Sequence, residues 1–208
     1  MIRRLFERLT FGRTSPRERL IEALHLRINA AARMPGFYTV LSVPDTVEGR
    51  FECLSLHVIL VLRQLDRLPP PADDVAQDLV NAVFLQLDSS LRELGVGDFG
   101  VPKRMKKLGA AFYARAEGYD SALASGDAEA LARALARNVL GSDDVDAAGA
   151  LARYVAASAA ALSDADLDTL VTTGPRFPQP ESFPQLKTSA QPETATQNVT
   201  VTGPGATK

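Results

Sequence analysis

The residue types that carry acid–base, nucleophilic and metal chemistry are sparse here. The 208 residues include two histidines, His25 and His57, and one cysteine, Cys53. His57 stands between Leu56 and Val58, so it is expected as a satisfied, mostly buried imidazole. No His/Cys/carboxylate spacing around it supports tetrahedral metal binding. His25, between Leu24 and Leu26, reads the same way. Cys53 lies in Phe51-Glu52-Cys53-Leu54 with no charged activator placed beside it by sequence, so it reads as a small buried hydrophobe and not as a catalytic thiol. A single cysteine excludes an internal disulfide framework and leaves secretion unsupported. No catalytic residue, metal or cofactor is expected.

Three further groups invite a chemical reading. Gly95-Val96-Gly97-Asp98-Phe99-Gly100 contains G-x-G-x-x-G, but it follows an expected helix instead of a strand. The dinucleotide fingerprint therefore lacks its structural context, and a helix stop followed by a turn into Pro102 explains the same glycines. Asp45, Thr46, Glu48 and Arg50 place carboxylates and a cation near a turn. They can close a loop, since Asp or Thr satisfies turn amides and Arg bonds carboxylates or carbonyls, or they can meet a partner. Lys103, Arg104, Lys106 and Lys107 put four cations within five residues at a helix start, where they oppose the helix dipole and repel one another. An anionic partner and a solvated face, paired in part with Glu93 or Asp98, both fit that cluster. Phe37 and Tyr38 likewise divide between core closure and an exposed aromatic anchor.

These residues sit at corners between helices. Residues 1–13 form a short basic amphipathic pattern, with Ile2, Leu5, Phe6 and Leu9 on one stripe and Arg3, Arg4 and Arg8 mostly off it. Ser15-Pro16 opens a helix to about Arg33, expected to bury Leu20, Leu24, Ile28 and Ala31. Met34-Pro35 stops it. A long connection follows to Gly49, then a nearly all-apolar helix from Arg50 to about Leu68, which should be central. Pro69-Pro70-Pro71 breaks the chain, and Asp73 or Asp74 opens a helix carrying Val75, Leu79, Val83, Leu87 and Leu91 at four-residue spacing. Gly95 occupies the position of a helix-terminating glycine. Pro102 restarts a helix to about Ala124, with Met105, Leu108, Phe112, Ala116, Tyr119 and Leu123 on one side and the lysines opposite. Two further Ala-rich segments carry Leu131, Leu135 and Val139, then Leu151, Val155 and Leu162.

From Thr172 onward prolines mix with Thr, Gln, Ser and Gly, and burial there would not offset the entropy of ordering. The expected organisation is a basic segment at 1–14, one all-α domain of six to seven helices at 15–171, and a disordered Pro/Thr-rich tail at 172–208. The longest apolar stretch, five residues from Val58, is far short of the roughly 18–20 that span a bilayer. There is no secretory pattern, so a cytoplasmic protein is expected. A net charge of −2 predicts no global attraction to DNA.

Two blocks carry a family resemblance. One holds Arg33, Pro35, Phe37 and Tyr38, then Pro44, Asp45, Thr46, Gly49, Arg50, Phe51, Glu52 and His57; the other holds Arg92, Glu93, Gly95, Gly97, Asp98, Lys103, Met105 and Lys106. In this order and spacing, across about residues 15–119, the chain resembles the ubiquinol–cytochrome c chaperone family. The resemblance implies a non-catalytic assembly factor that binds newly made cytochrome b for the cytochrome bc1 complex. Mitochondrial members also work beside the ribosome exit, and the lack of a transit extension makes this look like a bacterial member. The client or partner contacts implied are Phe37, Tyr38, Asp45, Arg50, Gly95, Asp98, Lys103, Arg104, Lys106 and Lys107. Arg3, Arg4, Leu5, Phe6 and Arg8 would lie at an anionic membrane, on the inner face of the cytoplasmic membrane, or the segment that holds them would pack on its own domain, the reading the pattern slightly favours. The competing reading is a helical adaptor that binds the ribosome or nucleic acid at the membrane surface.

Overall fold

The structure, a computed structural model, describes residues 15–93, 95 and 100–185. Among these residues there are seven α-helices and no strand. Helix α1, Pro16–Ala32, starts from a complete capping box: Ser15 Oγ accepts from the Glu18 amide at 3.1 Å, and Glu18 Oε2 accepts from the Ser15 amide at 2.6 Å. Its buried face is Ile21, Leu24, His25, Ile28 and Ala32. Leu20, expected inside, is 41% exposed. The stripe is rotated by about one residue because α1 packs on α3, α4 and the later turn Thr169–Thr173, and must bury the arc facing all three.

Where a continuous connection was expected, one helical turn intervenes, α2 at Gly36–Thr39. Helix α3, Val47–Leu65, begins three residues ahead of expectation because Thr46 caps it, accepting from the Gly49 amide at 3.0 Å. Gly49 is needed there: a Cβ would fall on the Pro44 carbonyl oxygen. The run from Ser55 to Val61 is entirely buried, and α3 touches α1, α4, α5 and α7, as its apolar circumference requires.

Helix α4, Ala72–Glu93, buries Val75, Leu79 and Val83, while Leu87 and Leu91 are half-buried. Helix α5, Gly100–Ser125, buries Phe112 and Tyr119. Asp127 caps α6, Ala128–Leu135, which runs into a π turn, Ala136–Leu140, ended by Gly141 at φ 63°. Helix α7, Gly149–Leu162, starts later than its sequence pattern implies, because residues 142–148 form turns first. Its side chains Leu151, Tyr154, Val155 and Leu162 close the core against α3 and α6.

The helical body ends at a second π turn, Thr169–Thr173, but the boundary expected at residue 172 moves to the far side of an ordered strap, 174–185. Phe177 packs edge-on against His57, with centroids 4.7 Å apart, and Phe183 against Tyr154 at 5.7 Å. Pro180 is buried beside α2, and Arg153 Nη2 donates to the Pro184 carbonyl at 2.6 Å. Two aromatics six residues apart supply burial that bulk composition understates, and the prolines leave less chain entropy to lose. The rest of the expected tail, 186–208, lies outside the described residues, as does the basic segment 1–14.

Candidate interaction site

The first corner joins α1 to α3. Phe37 is wholly buried, its ring edge-on to both His57 and Tyr154 at 5.0 Å, so in this conformation it is core and not a partner contact. Tyr38 is half-buried, and its hydroxyl donates to the Ala32 carbonyl at 3.3 Å. Burial pushes its phenol above the usual value. The Arg50 guanidinium stands 5.9 Å from the centre of the Tyr38 ring and donates from Nε to Asp45 Oδ1 at 2.7 Å. That hydrogen bond holds the Asp45 carboxyl below, and the Arg50 guanidinium above, their ordinary ranges. Asp45 and Arg50 are both exposed, at 57% and 58%. Tyr38, Arg50 and Asp45 therefore form one pre-set surface ledge with an aromatic, a cation and an anion.

Beside that ledge lies a cleft of about 200 Å³, lined by Arg33, Val47, Arg50 and Leu54 on one side and Leu87 and Ser90 on the other. Val47, at 64% exposure, stands at its edge with an apolar face open to solvent. The cleft brings the Asp45/Arg50 corner against the C-terminal half of α4, which leads to the second corner. There Gly95 has φ 80° and its amide donates to the Arg92 carbonyl at 3.0 Å, the left-handed stop read from the sequence. Asp98 and Gly97 lie outside the described residues. Lys103, Arg104, Lys106 and Lys107 are all exposed on the first turns of α5. Among the described residues no carboxylate pairs with them.

A part-buried ion pair ties α3 to the middle of α5. Arg115 Nη2 on α5 donates to Glu52 Oε1 on α3 at 2.7 Å, with side chains 18% and 13% exposed. Burial pushes Glu52 up to about 7 against the opposing pull of Arg115. Among the described residues, Glu52 Oε2 and Arg115 Nε are buried without a hydrogen-bond partner. Burial also pushes Tyr119 up to about 12. Neither this pair nor the Arg63–Asp120 pair at 2.6 Å is visible in local spacing, since both join residues more than fifty positions apart.

His57 and Cys53 behave as their apolar setting implies. The Cys53 carbonyl can only accept, so His57 Nδ1, 2.7 Å away, carries the proton, and Nε2 accepts from the Tyr154 hydroxyl at 2.7 Å. Burial holds the imidazole neutral, pushed down to about 4, and pushes the Cys53 thiol far up. No nucleophile is activated by either group. Among the described residues no three His, Cys, Asp or Glu side chains gather to hold a metal. None of the described helices is long and apolar enough to cross a membrane.

The described residues form an all-helical body whose Tyr38, Arg50 and Asp45 corner and whose cations on the first turns of α5 face outward. Residues 39–177 match the family described as ubiquinol-cytochrome C chaperone, and the chain belongs to that family. The match runs well past Tyr119, through α6, α7 and the start of the strap. The chain is 26% identical over 164 residues to the ubiquinol-cytochrome-c reductase complex assembly factor 1 of Xenopus laevis, covering 78% of this chain and 82% of that protein. It is also similar to the crystal structure of the Cbp3 homolog from Brucella abortus, with 38% identity and a TM-score of 0.74. That similarity covers 88% of this chain and 99% of the other.

Proposed function

We propose that this protein is a non-catalytic assembly factor that binds newly made cytochrome b and supports assembly of the cytochrome bc1 complex. Family membership and the assembly-factor relative supply the process. The observation that carries the binding surface is the ledge of Tyr38, Arg50 and Asp45 beside the Val47 cleft. An apolar client side chain enters the cleft while client polar groups meet the fixed Asp45–Arg50 pair. Both charged groups are already oriented, so little side-chain entropy is lost on binding. The exposed cations Lys103, Arg104, Lys106 and Lys107 face the anionic inner surface of the cytoplasmic membrane, holding the scaffold where cytochrome b is inserted.

The test is a deletion strain complemented with the wild-type chain or with variants of the ledge. Loss of the bc1 haem spectrum, with other membrane proteins intact and restored only by an unaltered ledge, is the expected result. A broad translational defect would instead favour a ribosome-binding adaptor.

A further inference from the structure

The outer face of α5 carries a self-complementary pattern. Lys103, Lys106, Ala110, Tyr113, Glu117 and Asp120 recur at alternating three- and four-residue steps, and all six are exposed. That spacing sets them in one seam about 26 Å long, basic at the start of the helix and acidic toward its end. In its middle Tyr113, 59% exposed, stands edge-on to buried Phe112 with centroids 5.6 Å apart. An aromatic braced from behind and open in front is an anchor for another helix. The charges find no match on their own helix. One turn either side of Lys106 stand Pro102, Lys103, Gly109 and Ala110, none of them acidic. One turn either side of Glu117 stand Tyr113, Ala114, Asp120 and Ser121, none of them basic. Among the described residues neither Lys106 nor Glu117 has an ion-pair partner.

We propose that α5 pairs antiparallel with α5 of a second copy of this chain, in a two-fold dimer where Lys106 meets Glu117, Lys103 meets Asp120 and Ala110 receives Tyr113. Each of these pairs is centred between residues 111 and 112, so a single two-fold axis crossing there makes every contact at once and repeats it. Charge fixes register and direction. A slip of one heptad sets Lys106 against Ala110 or Ala124, and a parallel arrangement sets lysine against lysine. Asp120 also takes the Arg63 guanidinium, yet its side chain is 56% exposed and a carboxylate accepts more than one donor. Glu117 and Asp120 further rim a cleft of about 590 Å³ where they and Asp66 and Asp73 outnumber Arg63 and Arg67, so the partner's lysines approach an acidic edge. The dimer belongs to lipid-free solution, because an anionic bilayer competes for Lys103 and Lys106. Arg104 and Lys107 lie more than about 100° round α5 from Tyr113, outside the seam.

Sedimentation equilibrium of the full-length chain in lipid-free buffer tests this. The seam is short of a standard interface, so a monomer–dimer equilibrium at about 10–100 µM is expected. Lys106→Glu and Glu117→Lys each set two like-charge contacts in their own dimer and should weaken it at least about tenfold. Mixed in equal amounts, the two variants should dimerise with each other, because both contacts of the mixed pair are then opposite in charge. Recovery on mixing also shows that neither variant is misfolded. A wild-type chain that stays monomeric to about 1 mM would overturn the proposal. So would single variants that dimerise as tightly as the wild type, or a mixture that associates no better than its components.

Discussion

His57 Nε2 on α3 accepts a 2.7 Å hydrogen bond from the Tyr154 hydroxyl on α7, closing a separation of 97 residues inside the core. Phe37, Phe177 and Phe183 surround that pair edge-on, so the first corner, the last helix and the C-terminal strap all converge on one imidazole. Tyr154→Phe removes the one donor that His57 Nε2 has among the described residues and leaves a buried acceptor unsatisfied. The expected loss is about 1–3 kcal/mol, read from the denaturant midpoint at unchanged slope. The loss should shrink in a His57→Phe background, because the orphaned group is then absent.

Glu52 gives the fold a pH dependence of defined sign. Its folded pKa of about 7 lies above the ordinary 4.5, so between those values the folded state keeps a proton that the unfolded state releases. Stability from this group is full below pH 4.5 and declines as pH rises to about 7, by up to about 3 kcal/mol. Asp45 and Asp166, held below the usual range, act in the opposite sense at lower pH. Urea midpoints from pH 4.5 to 8 should fall for the wild type and stay flatter for Glu52→Gln.

The strap makes a separate prediction. Phe177→Ala removes a half-buried ring from His57 and should cost about 1–3 kcal/mol, with faster amide exchange confined to residues 174–185 and α2. An unchanged midpoint would mean that the strap contributes no stability.

The basic face is tested by reversing Lys103, Arg104, Lys106 and Lys107 to Glu. Each cation near an anionic bilayer contributes about 1 kcal/mol, so co-sedimentation with anionic vesicles should be abolished in the variant and weaken steeply with salt in the wild type. Equal binding by the two proteins would remove the membrane contact. Loss of ribosome co-sedimentation alone would reassign the face to RNA.

The helices were legible in the sequence because their signals are local: the Ser15 cap, the three prolines at 69–71, Gly95 and the four-residue apolar spacing of α4 each act within a turn or two. The central place of α3 followed from its apolar circumference. The rotation of α1 was not legible, since it depends on where two later helices and the turn Thr169–Thr173 pack. Phe37 shows the same limit. Its position in a polar corner is equally compatible with exposure and burial, and only the arrival of Tyr154, 117 residues later, decides the matter. The strap escaped composition because two aromatics, Phe177 and Phe183, find partners elsewhere in the chain. The ledge was half legible: Asp45 and Arg50 were visible as a turn pair, whereas the Tyr38 stacking and the cleft required the fold.

The most direct measurement is site-specific photocrosslinking during cytochrome b synthesis, with the reactive group placed in turn at Tyr38, at Val47 and at Glu129 on the exposed side of α6. The account predicts that Tyr38 and Val47 capture cytochrome b, that Glu129 does not, and that Arg50→Ala lowers capture without changing the denaturant midpoint. Absence of cytochrome b from the Tyr38 and Val47 products, or equal capture from Glu129, would contradict it.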